Sequence, residues 1–152
     1  MLVKNLLESK PKQVVSAIPG TSIDEAMDLL IKNNIGCLPV LDTSGELIGI
    51  ISDKDIFKRI HESKGDYHSL KVSDVMTTNL IVGLPDDDIG YIAGIMKKNW
   101  IRHVPIVEEG TVIGLVSLRD ILKTTSKTTD IENRYLKMYM DGLHSRDRSA
   151  DY

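Results

Sequence analysis

The chain has 152 residues, of which 41% are hydrophobic and 27% are charged, and its net charge is -3. These values are typical of a globular protein, and the negative charge argues against general nucleic-acid binding, although a local basic pocket can still hold an anion. The single cysteine excludes an internal disulfide and a multi-cysteine zinc site. The chain starts with polar residues rather than the apolar stretch of a signal peptide, and no apolar run is long enough to span a membrane. We therefore expect a cytoplasmic protein.

The first half of the chain predicts a strand, a helix, a two-stranded hairpin and a second helix. These elements are the runs QVVSAI, SIDEAMDLLIKNN, CLPVL, LIGIIS and DKDIFKRI. The first run is β-branched and is followed by Pro19, as expected for a strand that ends at a bend. The second run places its apolar residues on one helical face, with Thr21 or Ser22 as the N-cap. A polar turn with a glycine joins the two hairpin strands.

The second half of the chain repeats the first, so one supersecondary unit is used twice. One residue is missing from the turn of the second copy, which reads EEGT against DTSGE. The matched pairs are Pro19 and Pro85, Ile23 and Ile89, Pro39 and Pro105, Gly49 and Gly114, Ser52 and Ser117, and Asp55 and Asp120. A unit of this size is small for independent stability, so we expect the two copies to pack together.

This order predicts a mixed α/β (α+β) fold of two β-α-β-β-α repeats, packed sheet to sheet with pseudo-twofold symmetry. Such packing creates two equivalent clefts between the repeats, which are natural places for small ligands. We place the first repeat, with the N-terminal segment, at residues 1–66 and the second at 67–125. For residues 126–152 we expect a helix with a capping box at Thr129 and Glu132, followed by a disordered tail.

The matching motifs GIISDKD and GLVSLRD carry the residues with the clearest chemistry. Each glycine lets a ligand or the other repeat approach the backbone closely. Ser52 and Ser117 lie where a strand meets a helix and can offer hydroxyls to a phosphate, because the first turn of a helix attracts anions. Asp55 and Asp120 can accept hydrogen bonds from ribose hydroxyls. The alternative is structural, since Ser-x-x-Asp at a helix start is nearly a capping box, and the two roles are compatible.

The chain also resembles a known family at these places. The two motifs, the strands GCLPVL and RHVPIV, and the segment VSDVMT before the second repeat are similar to a tandem pair of cystathionine-β-synthase-type (CBS) domains, a Bateman module. The resemblance covers most of the chain up to residue 125. It implies adenosine-type ligands, AMP, ADP or ATP and sometimes S-adenosylmethionine, in the clefts between the repeats. It also implies that two such modules pair into a flat homodimer.

Four basic residues determine how anionic a ligand the clefts accept. Lys54 and Arg119 lie inside the two motifs, and Arg102 and His103 precede the proline of the second repeat. The corresponding residues 36–37 carry no charge, so we expect unequal clefts, because the planar guanidinium of arginine suits phosphate. The sequence leaves open which cleft Arg102 serves. In the alternative interpretation Arg102 is a solvated charge and His103 is a neutral packed ring.

By the same resemblance, residues of both repeats form the walls of a slot for adenine. They are Val15 and Ser16 with Ile81 and Val82 in the first strands, and Leu38 and Val104 before the prolines. Taken one at a time, each is equally well explained as a core residue. The acidic run Asp86–Asp88 is a departure in the second repeat. It either caps its helix or, if it faces the cleft, disfavours phosphate unless a divalent cation intervenes.

These features favour a regulatory module that senses adenine nucleotides and transmits their occupancy through the geometry of a homodimer. The alternative is an interaction module of the same fold that binds a protein or a nucleic acid without a physiological nucleotide. An enzyme is disfavoured, because the chain lacks the motifs GxxxxGK[ST], GxGxxG, GxSxG and HExxH. The four histidines form no recognisable metal set, so we expect no catalytic residue, metal or cofactor.

Overall fold

The computed structural model describes residues 1–125, 136–138 and 140–141. Its elements are α1 (Val3–Glu8), α2 (Ile23–Asn33), β1 (Cys37–Leu41), β2 (Leu47–Ser52), α3 (Asp53–Glu62), α4 (Val72–Val75), α5 (Ile89–Asn99), β3 (His103–Glu108), β4 (Thr111–Ser117) and α6 (Leu118–Thr125). The strands form two antiparallel hairpins, β1 with β2 and β3 with β4, and a helix precedes and follows each hairpin. The predicted mixed α/β class is therefore confirmed.

The predicted first strand of each repeat is reduced to a single parallel residue pair. In the first repeat, Ala17 pairs with Val40, and the Ala17 N–H donates to the Pro39 carbonyl at 2.9 Å. To continue in either direction, the parallel ladder would need N–H donors at positions 19 and 39. Both residues are prolines, which have no N–H group. The run therefore pairs with β1 at one position. The equivalent pair of the second repeat is Gly83 with Ile106.

The segment at the start of each repeat packs against the other repeat. Helix α1 inserts Val3 and Leu6 into the core of the second repeat, where they are 0% and 3% exposed. Helix α4 inserts Val72 into the core of the first repeat. Backbone hydrogen bonds hold both helices, since the Val3 N–H donates to the Asp87 carbonyl and the Val72 N–H donates to the Thr21 carbonyl. Each repeat thus completes its core with a segment from outside its own run of elements.

The two repeats are related by the predicted pseudo-twofold symmetry. Each has its own hydrophobic cluster, with Ile23, Leu38, Val40 and Ile51 among the buried residues of the first and Ile92, Val104, Ile106 and Val116 among those of the second. Glu46 and Thr111 are equivalent residues of the two turns, and they form an antiparallel bridge with each other. A residue can pair with its own equivalent only near the symmetry axis, so the two hairpin sheets meet there.

Most of the predicted C-terminal helix lies outside the described residues. Residues 136–138 and 140–141 are helical, and Met138 is 73% exposed. The expected capping box of Thr129 and Glu132 is outside the described ranges. Within those ranges, no helix has the length and apolar character that a membrane crossing requires.

Candidate functional site

Both Ser-x-x-Asp motifs form reciprocal caps at the start of a helix. At α3, the Ser52 hydroxyl accepts from the Asp55 N–H at 3.1 Å, and Asp55 Oδ2 accepts from the Ser52 N–H at 3.0 Å. At α6, the matching distances between Ser117 and Asp120 are 3.0 and 2.8 Å. The capping role is thus present in both copies. It uses Oδ2 of each aspartate, and no hydrogen bond within the described residues engages Oδ1.

The glycine that opens each motif lies beside a side chain of the segment that packs across from the other repeat, Met76 at the end of α4 for Gly49 and Leu7 of α1 for Gly114. A Cβ atom placed on Gly49 would lie 2.6 Å from Met76 Sδ, and one placed on Gly114 would lie 2.6 Å from Leu7 Cδ2. Either distance is far below van der Waals contact, so a side chain at either position would have to displace the end of the Met76 or Leu7 side chain. These glycines were predicted to allow close approach of a ligand or of the other repeat. The structure shows close approach of a side chain from α1 or from the end of α4.

Lys10 gives the second motif a partner that the first motif lacks. Its Nζ donates to Asp120 Oδ2 at 2.6 Å and to the Leu115 carbonyl at 2.7 Å. Burial by itself raises the pKa of Asp120, but the hydrogen bonds from Lys10 and Ser117 outweigh burial, so the pKa lies below its usual value. In the sequence, no local pattern distinguishes Lys10 from the nearby Lys12, so this contact was not predictable.

The Arg102 side chain lies at the first motif. Its Nη2 donates to Asp53 Oδ1 at 3.0 Å, and the two side chains are 59% and 53% exposed. The Arg102 carbonyl accepts from the Leu118 N–H at the start of α6. The backbone of Arg102 therefore contacts the second motif while its side chain contacts the first. The exposure of the side chain agrees with the solvated-charge interpretation, and a ligand contact by Arg102 remains a prediction.

The other three basic candidates differ in their surroundings. The His103 ring packs against Gly36, where an added Cβ would lie 3.2 Å from His103 Cε1. Burial and the nearby charge of Arg102 lower the pKa of His103, so the ring is neutral near pH 7. This agrees with the packed-ring interpretation of His103. Lys54 and Arg119 are exposed in the first turns of α3 and α6, and a ligand contact by either remains a prediction.

A cavity of about 730 Å³ lies between the repeats, beside the second motif. It is bounded by residues 10–15, by Ile35 of the first repeat and by Gly114 and Leu115 of β4. Its volume is within the range of small-ligand pockets. We call this space the second cleft. Ser117 and Asp120 are not among the residues that bound it, but Lys10, which does bound it, binds Asp120. We call the equivalent position, at Ser52 and Asp55, the first cleft. The lining also contains Lys10, Lys12, Glu8 and Glu108, so it carries charges of both signs.

The residues predicted to hold adenine differ in accessibility. Val15 lines the cavity of the second cleft. Ser16 and Ile81 are half-buried, and Val82 is 41% exposed. Leu38 and Val104, the remaining two, have no exposed surface and belong to the two hydrophobic cores. Their burial agrees with the core interpretation, whereas adenine contacts by the accessible residues remain predictions.

Each acid of the run Asp86–Asp88 has a structural partner. Asp88 is the N-cap of α5 and accepts from the Gly90 N–H at 2.8 Å. Asp87 accepts from the Leu84 N–H, and Asp86 accepts from Lys4 Nζ, both at 2.8 Å. The capping interpretation therefore holds for Asp88. Asp86 also lines the second cleft.

Reactive groups elsewhere in the described part of the chain suggest no further chemistry. Burial raises the pKa of the Cys37 thiol to about 12, so it is protonated and unreactive at neutral pH. Among the described residues, no three or more His, Cys, Asp or Glu side chains are arranged to hold a metal ion.

Comparison with known sequences identifies the repeats. The model of the CBS domain family matches residues 8–62 and again residues 72–127. The CBS domain-containing protein YhcV of Bacillus subtilis is 31% identical over 119 residues, which are 78% of this chain and 84% of that protein. The L-aspartate semialdehyde sulfurtransferase of Methanocaldococcus jannaschii is 36% identical over 121 residues. That match covers 79% of this chain but spans only 22% of the enzyme.

Solved structures show the same arrangement of two repeats. The CBS-domain protein ATU1752 of Agrobacterium tumefaciens has a TM-score of 0.77 and 32% identity, with 80% of this chain and 91% of that chain covered. The CBS domain pair of protein MJ0100 has a TM-score of 0.75 and 36% identity, with 85% of this chain and 98% of that chain covered. The MJ0100 structure is a complex with 5′-methylthioadenosine and S-adenosyl-L-methionine.

Proposed function

This chain belongs to the CBS domain family, and from that premise we propose that it is a regulatory module that binds an adenine nucleotide, AMP, ADP or ATP, between its repeats. The observation that carries the proposal is the cavity of about 730 Å³ that is lined by Gly114 and Leu115 of the second motif and by Lys10, which binds Asp120. The Oδ2 atom of Asp120 is held by its cap and by Lys10, and Oδ1 remains for a ribose hydroxyl. A carboxylate that is already fixed in place binds a diol without losing further side-chain freedom.

The preference for a nucleotide over a neutral nucleoside rests on the cations of this chain. The cations that line the second cleft are Lys4, Lys10 and Lys12, and the acids Glu8, Asp86 and Glu108 line it as well. Arg102 reaches the first motif, where it contacts Asp53. The related pair of MJ0100 binds adenosine derivatives without a phosphate, so that protein supports the adenosine part of the proposal and the basic residues support the phosphate. Binding at the interface of the repeats would change how they pack, which would carry occupancy to a partner.

A melting screen tests whether any adenosine ligand binds. A ligand that binds only the folded protein, at about a hundred times its dissociation constant, adds about 2.7 kcal/mol and raises the melting temperature by several degrees. We expect AMP, ADP or ATP to give this shift. GMP and GTP test whether the adenine base is required, and S-adenosylmethionine tests whether the phosphate is required. Mass spectrometry of the supernatant from heat-denatured protein reveals a co-purified ligand. A flat screen with no released adenylate would favour the interaction-module alternative.

We further propose that two copies pair through the helices of the repeats. A groove of about 500 Å³ between α2 and α3 adjoins Ile31 and Phe57, which are 76% and 75% exposed. Helix α2 carries three acids, Asp24, Glu25 and Asp28, whereas α5 carries Lys97 and Lys98 and no acid. This complementarity makes a second copy the fitting occupant, with the first repeat of one copy facing the second repeat of the other.

Light scattering at micromolar concentration checks the pairing. We expect twice the chain mass of 16.9 kDa, since a specific dimer buries at least about 1,200 Å². Phe57→Asp places a charge in the apolar groove and should give the monomer, whereas Lys58→Ala on the exposed side of α3 should not. A parent protein that runs as a monomer would contradict the pairing.

A further inference from the structure

Trp100 holds a large aromatic ring in water. It follows the last residue of α5 and is 93% exposed, more than any other large hydrophobic side chain of the described residues. Its backbone is left-handed, with φ 56° and ψ 36°, a conformation that is unfavourable for a bulky residue. A residue that is neither buried nor suited to its backbone is expected where the side chain serves a partner.

The matching position of the first repeat shows what the fold alone requires. Asn34 ends α2 with the same left-handed backbone, at φ 50°, and asparagine tolerates that conformation well. Asn34 and Asp53 both line the groove between α2 and α3. In the second repeat these two residues are replaced by Trp100 and by Leu118, which is 37% exposed. The second repeat thus presents two apolar side chains where the first repeat has two polar residues beside a groove.

The groove of the first repeat suits an indole ring. Its volume is about 500 Å³, and its lining is apolar apart from Asn34 and Asp53. Two of the lining residues, Ile31 and Phe57, are 76% and 75% exposed, so a ring placed against them would remove apolar surface of both partners from water. A buried indole N–H needs an acceptor, and the groove offers the side-chain oxygens of Asn34 and Asp53.

The charges next to the two surfaces are complementary. Lys97 and Lys98 lie in the last turn of α5, just before Trp100, and Glu25 and Asp28 lie on α2. None of these four charged side chains forms an ion pair within the described part of the chain. The lysines can therefore meet the acids of a second copy when the ring enters the groove.

We propose that Trp100 anchors the pairing of two copies, with the ring of each copy inserted into the groove between α2 and α3 of the other. The inference rests on the pairing proposed above, because it concerns the same groove. A twofold axis between identical copies repeats the contact, so each dimer buries two tryptophans. Tryptophan is enriched among the few residues that carry most of the binding energy of an interface.

Trp100→Asn tests the anchor without disturbing the fold, since it copies Asn34 of the first repeat. We expect the dissociation constant of the dimer to rise about a hundredfold or more, because both copies lose their anchor. The control is Leu84→Ala, which shortens a side chain that is 54% exposed, before the other end of α5, and should change the constant by less than about twofold. Analytical ultracentrifugation measures both constants.

The fluorescence of Trp100, the single tryptophan of the chain, reports its own burial. The emission of the parent should shift to shorter wavelength as its concentration rises through the dissociation constant, whereas Phe57→Asp should keep the emission of an exposed ring. Trp100→Asn contains no tryptophan but has an intact groove. When it is added to Phe57→Asp, it should receive the ring of that variant and restore the shift, and the double variant Phe57→Asp, Trp100→Asn should not.

The outcomes separate the anchor from the pairing on which it rests. A dimer whose Trp100 keeps the emission of an exposed ring, or a Trp100→Asn variant that dimerises as the parent does, overturns the inference and leaves the pairing intact. Mixed variants that restore no shift also overturn it, because the ring then docks elsewhere than in the groove. If the parent stays monomeric, the pairing fails and the inference fails with it, while nucleotide binding is decided separately by the melting screen.

Discussion

Replacing Asp120 with asparagine is expected to weaken adenine-nucleotide binding in the second cleft about ten- to a hundredfold. Charge-assisted hydrogen bonds from a ribose diol to a carboxylate contribute about 1.5–3 kcal/mol, and an amide that offers one acceptor and one donor cannot replace them. The fold should survive, because the amide oxygen of asparagine can still accept the Ser117 N–H and the Ser117 hydroxyl still caps the backbone of residue 120. Calorimetric titration of the variant and the parent with AMP, beside their thermal unfolding, measures both quantities.

Asp55→Asn is the matched variant for the first cleft. Both aspartates cap a helix through the same reciprocal bonds, but only Asp120 also holds Lys10. We therefore expect Asp120→Asn to cost more stability than Asp55→Asn, by up to about 1 kcal/mol. If both variants bind every nucleotide as the parent does, the duplicated aspartates are helix caps alone and the ribose role is wrong.

Replacing Leu6 with alanine is expected to lower the free energy of unfolding by about 2–5 kcal/mol. The side chain is 3% exposed and packs in the core of the second repeat, against a cluster that includes Ile92, Val104 and Ile106. Truncation removes buried methyl groups and leaves a cavity that rigid neighbouring strands cannot fill. Urea unfolding followed by circular dichroism measures the change.

Asn5→Ala is the control for this variant. Asn5 is exposed on the same helix, so its loss should change stability by less than about 0.5 kcal/mol. If Leu6→Ala were no more destabilising than Asn5→Ala, α1 would not be part of the second core, and the exchange of segments between the repeats would be wrong.

The sequence alone determined the helix caps and the hairpins, because each depends on residues that are close together in the chain. Helix caps such as Ser52 with Asp55 span four residues, and a hairpin needs only two apolar runs and a turn, so both are visible in a short window. Because the pattern occurs twice, it also predicted two repeats and their pseudo-twofold relation, and the family followed from the resemblance of the motifs. The first strands are shorter than predicted, because Pro19 and Pro39 lack the N–H groups that a parallel ladder needs.

Only the tertiary structure decided which residues surround each cleft. Lys10 meets Asp120 across 110 positions of sequence, and Arg102 meets Asp53 across 49. Neither contact has a local signal, because each depends on how one repeat is placed against the other. The exchange of α1 had a weak signal, since Val3 stands near the start of the first repeat as Val72 does near the start of the second. The core on which each helix packs is seen only in the tertiary contacts. The sequence thus predicts the duplicated acids, and the inequality of the two clefts arises from long-range contacts that bring different charges to equivalent places.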